Sequence, residues 1–133
     1  MIPDTNTQKK ILVIEDDRDI NASLQRKFQT LGFATEGAFN GQAGFELLKM
    51  KVYDGIMLDL MMPIKDGFAV MAQLHGTPNK QTPVYVLTSV GEESKVDLAW
   101  DLGAKMVFKK EERGPAEVAQ AVNDSIHSLH LHE

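Results

Sequence analysis

The chain has 133 residues, 43% of them apolar and 25% charged. That suits one globular domain and excludes a low-complexity or collagen-like chain. It has no Cys, so disulfides, thiol nucleophiles and thiolate metal sites are excluded. Fourteen Lys and Arg against nineteen Asp and Glu leave a net charge of −5. That is not the basic footprint of a nucleic-acid binder, so no direct nucleic-acid contact is expected. No apolar run reaches the ~18–20 residues a membrane span needs. The polar start has no apolar core of a signal peptide, so no membrane insertion and a cytoplasmic location are expected.

Residues 1–8 read as a flexible lead-in. Ile11-Leu12-Val13-Ile14 is then a continuous β-branched run ending in Glu15-Asp16-Asp17. A strand apolar on both faces belongs in a covered parallel sheet. Ile20, Leu24, Phe28 and Leu31 recur at helical spacing, and Gly32 supplies a stop. Phe33 to Phe39 predicts a second, weaker strand. Asn40 is placed to cap a helix carrying Ala43, Leu47 and Leu48. Tyr53 to Leu60 predicts a third strand, followed by a loop punctuated by Pro63 and Gly67. A short helix with Phe68, Met71 and Leu74 comes next, with His75 as a cation near its end. Residues 76–83 are a loop. Val84 to Thr88 predicts strand four. Glu92 to Leu102 predicts a helix closed by Gly103, and Met106 to Phe108 strand five. Pro115 opens a last helix whose apolar seam is Val118, Val122, Ile126 and Leu129. The tail, 131–133, carries no signal.

Strict strand–helix alternation with short loops predicts a doubly wound, five-stranded parallel sheet with five helices, the (βα)5 arrangement of flavodoxin-like folds. In such a sheet, ligands sit beyond the carboxyl ends of the strands. Polar groups end the strands here: Glu15-Asp16-Asp17 on the first, Asp59 on the third, Thr88-Ser89 on the fourth and Lys109-Lys110 on the fifth. Carboxylates crowded in one cleft repel unless a cation joins them. Oxygen-only ligands favour Mg²⁺, with Mn²⁺ possible, over Zn²⁺. A carboxylate beside such a cation, with an ammonium and a hydroxyl nearby, suits attack on phosphorus to form an acyl phosphate.

These residues carry a resemblance to the receiver domains of two-component response regulators (CheY-like). The matching segments are Lys10-Ile-Leu-Val-Ile-Glu-Asp-Asp17, Tyr53 through Gly67, Pro83 through Thr88, and Gly103-Ala104 through Lys110. They imply a receiver domain over residues 9–130. The most specific is the middle one, with an Asp four residues before a Pro and eight before a Gly. The resemblance implies that Asp59 is the phosphoacceptor and that Glu15 and Asp16 are metal ligands. Met61 then offers the metal its backbone carbonyl, Thr88 is the switch hydroxyl and Lys110 the phosphate-binding Lys. A one-residue gap would put Lys109 there instead. Asp17 reads as a helix cap.

Three departures from the family pattern stand out. Glu111 replaces the Pro that commonly follows the Lys. Val107 takes the place of the aromatic switch residue. Ser89 stands where Ala or Gly is common.

The expected partners are a histidine kinase or histidine phosphotransfer protein as donor and a downstream protein. The resemblance implies a partner surface on helix four, strand five and helix five, where Val96 and Trp100 of the fourth helix would join Val107 in an apolar patch or a homodimer contact; the alternative is that Trp100 packs partly into the core. Leu98, Ala99 and Leu102 would face the sheet. The chain ends soon after its fifth helix, so output by protein contact is expected unless the chain is a piece of a longer protein. The resulting expectation is a phosphorylation-dependent signalling switch, not a metabolic enzyme, that assists its own phosphotransfer and autodephosphorylation. The alternative is a receiver-fold interaction module independent of phosphorylation. A haloacid-dehalogenase-type phosphatase fits poorly, because Met61 stands where that family has a second Asp. The spacing of His127, His130 and His132 does not align two of them cleanly on one helical face, and at the terminus they read as a frayed, solvated tail.

Overall fold

The computed structural model describes residues 8–89 and 93–131. Five strands, β1 (Lys10–Ile14), β2 (Ala34–Ala38), β3 (Gly55–Asp59), β4 (Val84–Thr88) and β5 (Met106–Lys109), alternate with five helices. These are α1 (Arg18–Thr30), α2 (Gly41–Met50), α3 (Gly67–Gln73), α4 (Glu93–Asp101) and α5 (Pro115–Leu131), with a 3₁₀ turn at Leu74–Gly76. The strands form one sheet in the order β2-β1-β3-β4-β5, and every pairing is parallel.

The inner strands β1, β3 and β4 are largely apolar because both their faces are covered, whereas the edge strand β2 carries Thr35 and Glu36 and is only partly buried; alternate residues of the inner strands divide between two cores. Leu12, Ile14, Ile56, Leu58, Val84 and Val86 pack with Leu48, Val70, Met71 and Ala99 of α2, α3 and α4. Ile11, Val13, Met57, Tyr85 and Leu87 pack with Leu24 and Phe28 of α1 and Val118, Val122 and Ile126 of α5. Each fully buried large aliphatic contributes roughly 1.5–3 kcal/mol.

The helix starts follow the sequence. Asp17 Oδ1 accepts the Asp19 and Ile20 amides, and Asn40 Oδ1 accepts that of Ala43. Asp66 Oδ1 does the same for Ala69. Gly32 and Gly103 follow α1 and α4 at φ 97° and 105°, a conformation Gly adopts without strain.

Several expectations need correction. Leu98 does not face the sheet; it is 44% exposed, and Ala99 carries the buried side of α4. Ala43 is exposed, and Gly44 takes the buried position because the Ile14 side chain occupies the space of a Cβ. Tyr53 is buried but precedes β3, since its N–H is taken by Asn79 Oδ1. Leu129, His130 and His132 lie outside the described side chains. His127 lies at the exposed end of α5, its Nδ1 2.8 Å from the Asn123 carbonyl.

Candidate functional site

The sheet order reverses at β1, whose neighbours are β2 and β3. The crevice between the carboxyl ends of β1 and β3 is therefore the place where this topology opens a binding site. Glu15 and Asp16 follow β1 and Asp59 closes β3, so the chain delivers acids to both sides of that crevice. One oxygen from each of the three carboxylates lies within 4.8 Å of the others. Glu15 and Asp59 are buried, and Asp16 is exposed at the mouth.

Lys110 reaches into the same cleft. Its Nζ stands 2.8 Å from Glu15 Oε1 and 3.6 Å from Asp59 Oδ2. Lys109 turns away, 4.0 Å from Glu93. The backbone explains the division: Thr88 pairs with Lys109 in the β4–β5 ladder, and the Lys110 amide donates to the Thr88 carbonyl. Successive strand residues point to opposite sides, so only one of the two lysines can enter the cleft. Thr88 is buried at the end of β4, one position beyond Leu87, the partner of Asp59. Ser89 is exposed. The loop at Glu111 contains no cis peptide, and the Glu112 and Arg113 amides both donate to the Lys109 carbonyl.

The electrostatics of the cleft are strained. Burial and the neighbouring Glu15 push the Asp59 carboxyl up to about 7, against the pull of Lys110 and the Met61 amide. Burial disfavours the charged Lys110, but its contacts with Glu15 and Asp59 outweigh that and hold its ammonium above the usual lysine range. Three carboxylates facing one ammonium leave excess negative charge, and all the donors are oxygens. The residues present therefore fit a hard divalent cation such as Mg²⁺. The Met61 amide lies 3.4 Å from Asp59 Oδ1.

Val96, Trp100 and Val107 are brought together elsewhere. They line a groove of about 400 Å³ between α4 and β5, rimmed by Lys105, Lys109 and Arg113. Trp100 is 47% exposed.

Sequence reasoning missed Asn21 and Asn79. Asn21 is fully buried, and its Nδ2 lies within hydrogen-bond range of the Val13, Glu15 and Ala38 carbonyls. It ties the ends of β1 and β2 together beside Glu15. The signal was an Asn on the Leu24–Phe28 face of a helix, where a polar residue is costly unless fully bonded. Asn79 anchors the loop before β4, donating to the Leu48 and Lys51 carbonyls.

A doubly wound parallel sheet with clustered acids at its switch point and a Lys from the last strand is the arrangement of a signalling receiver domain. Comparison with known proteins gives the family. The model of the response regulator receiver domain matches residues 11–123, and the chain belongs to that family. Response regulator MprA of Mycobacterium tuberculosis is 36% identical over 95 residues, which are 71% of this chain and 41% of MprA. The chain thus spans about two fifths of the length of the curated relatives it matches. Among solved structures, the receiver domain of the Francisella response regulator 1452 superposes with a TM-score of 0.81 at 29% identity, covering 92% of this chain and 99% of that one. The phosphorylated cyanobacterial phytochrome response regulator RcpA gives 0.75 at 25% identity, over 87% of this chain and 89% of its own. No helix among the described residues is long and apolar enough to cross a membrane.

Proposed function

We propose that Asp59 is a phosphoacceptor and that the chain is a cytoplasmic, phosphorylation-dependent switch. The donor is a phospho-His on a sensor kinase or phosphotransfer protein. The observation that carries this reading is the convergence of Glu15, Asp16, Asp59 and Lys110 on one partly buried cleft. The phosphorylated state of RcpA supports it by analogy.

In this reading an Asp59 carboxylate oxygen attacks phosphorus. The P–N bond breaks, and its electron pair stays with the imidazole, which takes up a proton. Glu15, Asp16, Asp59 and the Met61 carbonyl would hold Mg²⁺, which supplies charge neutralisation for the carboxylate and the transferring oxygens. The Lys110 ammonium exchanges part of its contact with Glu15 for a phosphoryl oxygen. The Thr88 hydroxyl donates to another. Hydrolysis reverses the modification: water attacks phosphorus, the P–O bond to Asp59 breaks, and inorganic phosphate leaves.

Lys109 and Lys110 are consecutive, so a movement of Lys110 is transmitted directly to β5, the floor of the Val96–Trp100–Val107 groove. We place the output surface there, on α4, β5 and the start of α5. Binding of a downstream protein, or of a second copy, would then depend on the state of Asp59. Val107 offers no aromatic ring to rotate, so the coupling runs through the strand backbone.

The test is intact-mass analysis after incubation with Mg²⁺ and acetyl phosphate. One Mg²⁺-dependent phosphoryl group is expected on the wild type and none on Asp59→Asn. If neither takes up phosphate and neither binds beryllofluoride, a constitutive interaction module replaces this reading.

A further inference from the structure

The segment between Asp59 and α3 leaves the end of β3 and returns to it as an arch. Both its feet are pinned. The Gly67 amide donates to the Leu60 carbonyl at 2.8 Å, and a Cβ on Gly67 would lie 2.5 Å from the Asp59 carbonyl oxygen. Between the feet, the Met61 amide faces Asp59 Oδ1. The apex projects into solvent: Ile64 is 80% exposed and sits at φ 71°, where a β-branched residue is strained. Beyond its feet, the arch has a further support against the rest of the fold.

That support lies on α2. Gly41, buried at the first position of the helix, packs directly against the Lys65 backbone. A Cβ on Gly41 would overlap the Lys65 carbonyl oxygen and lie 2.7 Å from its carbonyl carbon. Because the obstructing atoms are backbone, no rotamer change relieves the overlap; the arch or the start of α2 must shift, and either separates the two. The Lys65 side chain completes the grip from outside. Its Nζ is 2.6 Å from Gln73 Oε1 and 4.9 Å from the centroid of Phe45, one turn along α2 from Gly41. Asn40 caps α2 through Ala43, which fixes the platform on which Lys65 rests.

We propose that the Gly41–Lys65 contact is the seat of the arch, and that Gly41 is a positioning residue: by having no side chain it lets residues 61–66 settle with the Met61 backbone at Asp59. The kinetic consequence rests on the phosphoacceptor reading of Asp59; the structural one does not. A misplacement of about an ångström near reacting groups can cost up to about a hundredfold in rate.

The experiment compares Gly41→Ala with Gly44→Ala, a change on the same helix whose Cβ would press first on the Ile14 side chain rather than on backbone. Two quantities are read: hydrogen exchange of the Met61 amide in metal-free protein, and the rate of Mg²⁺-dependent phosphorylation by acetyl phosphate. Gly41→Ala is expected to speed Met61 exchange and slow phosphorylation, each by about tenfold or more. Gly44→Ala is expected to lower the thermal midpoint while leaving both within about twofold of wild type. Lys65→Ala, on the outer side of the arch, keeps the fold intact if Gly41→Ala does not, and should speed Met61 exchange by a smaller factor. Unchanged Met61 exchange in Gly41→Ala or in Lys65→Ala, or equal rate losses in Gly41→Ala and Gly44→Ala, overturns the proposal. A wild type that takes up no phosphate removes the phosphoacceptor reading instead, and the exchange measurement still decides the seat.

Discussion

Replacing Asp59 by Asn should stabilise the metal-free protein at neutral and alkaline pH. The carboxyl is pushed from 3.8 to about 7 by burial and by Glu15. Between those values the folded state holds a proton that the unfolded chain has released. Stability contributed by this group therefore falls as pH rises through that window, and the cost is complete above pH 7. At about 1.4 kcal/mol per unit, a shift of about three units corresponds to roughly 4 kcal/mol. Lys110 keeps its contact with Glu15 in the variant but loses one of its two buried counter-charges. The net gain for Asp59→Asn is then on the order of 2–4 kcal/mol, or roughly 5–10 °C in thermal midpoint. Paired urea or thermal unfolding with a chelator present, at about pH 4 and about pH 8, isolates the difference. The gain should be large at the higher pH and shrink to a small residue at the lower. Adding Mg²⁺ at about pH 8 should narrow it by stabilising the wild type. A variant less stable than wild type at about pH 8, or a gain independent of pH, would refute the picture of an overcharged, buried cleft.

Three further outcomes follow from the same geometry. Lys110→Ala removes the ammonium from buried Glu15 and should cost about 2–3 kcal/mol in urea unfolding, whereas Lys109→Ala, losing only a loose surface pair, should cost under about 0.5 kcal/mol. Asn21→Ala strips a donor from three carbonyls at the β1 and β2 ends and should cost about 2–3 kcal/mol, read as a lowered denaturation midpoint with unchanged slope. Ile64→Asn, at an exposed position with positive φ, should raise stability by about 0.5–1 kcal/mol, because Asn adopts that conformation with less strain.

Local pattern carried much of the fold. The runs Ile11–Ile14 and Val84–Leu87 could be read as strands of a parallel sheet because no charged residue interrupts them. Asp17, Asn40 and Gly103 mark helix ends through interactions spanning two to four residues, which a sequence displays directly. The candidate site was legible for a related reason: in a parallel sheet, chemistry gathers at the strand ends, and those ends are where apolar runs meet Glu15, Asp59, Thr88 and the Lys109-Lys110 pair. Leu98 shows the limit. Helical spacing places it in a stripe, but which stripe meets the sheet depends on how α4 docks. Ala99 takes the contact and Leu98 stays outside.

Composition, strand-end acids and the alternation of strand and helix were thus determined by the sequence alone, since each rests on neighbours within a turn or a strand. Only the tertiary structure decided which lysine enters the cleft, because that depends on the register between Thr88 and Lys109 across two strands. It alone gave Asn21 its three carbonyl partners, drawn from β1 and β2, and set Gly41 against Lys65, twenty-four residues away. These are contacts between distant segments, and side-chain periodicity along one segment carries no information about what another will place opposite it.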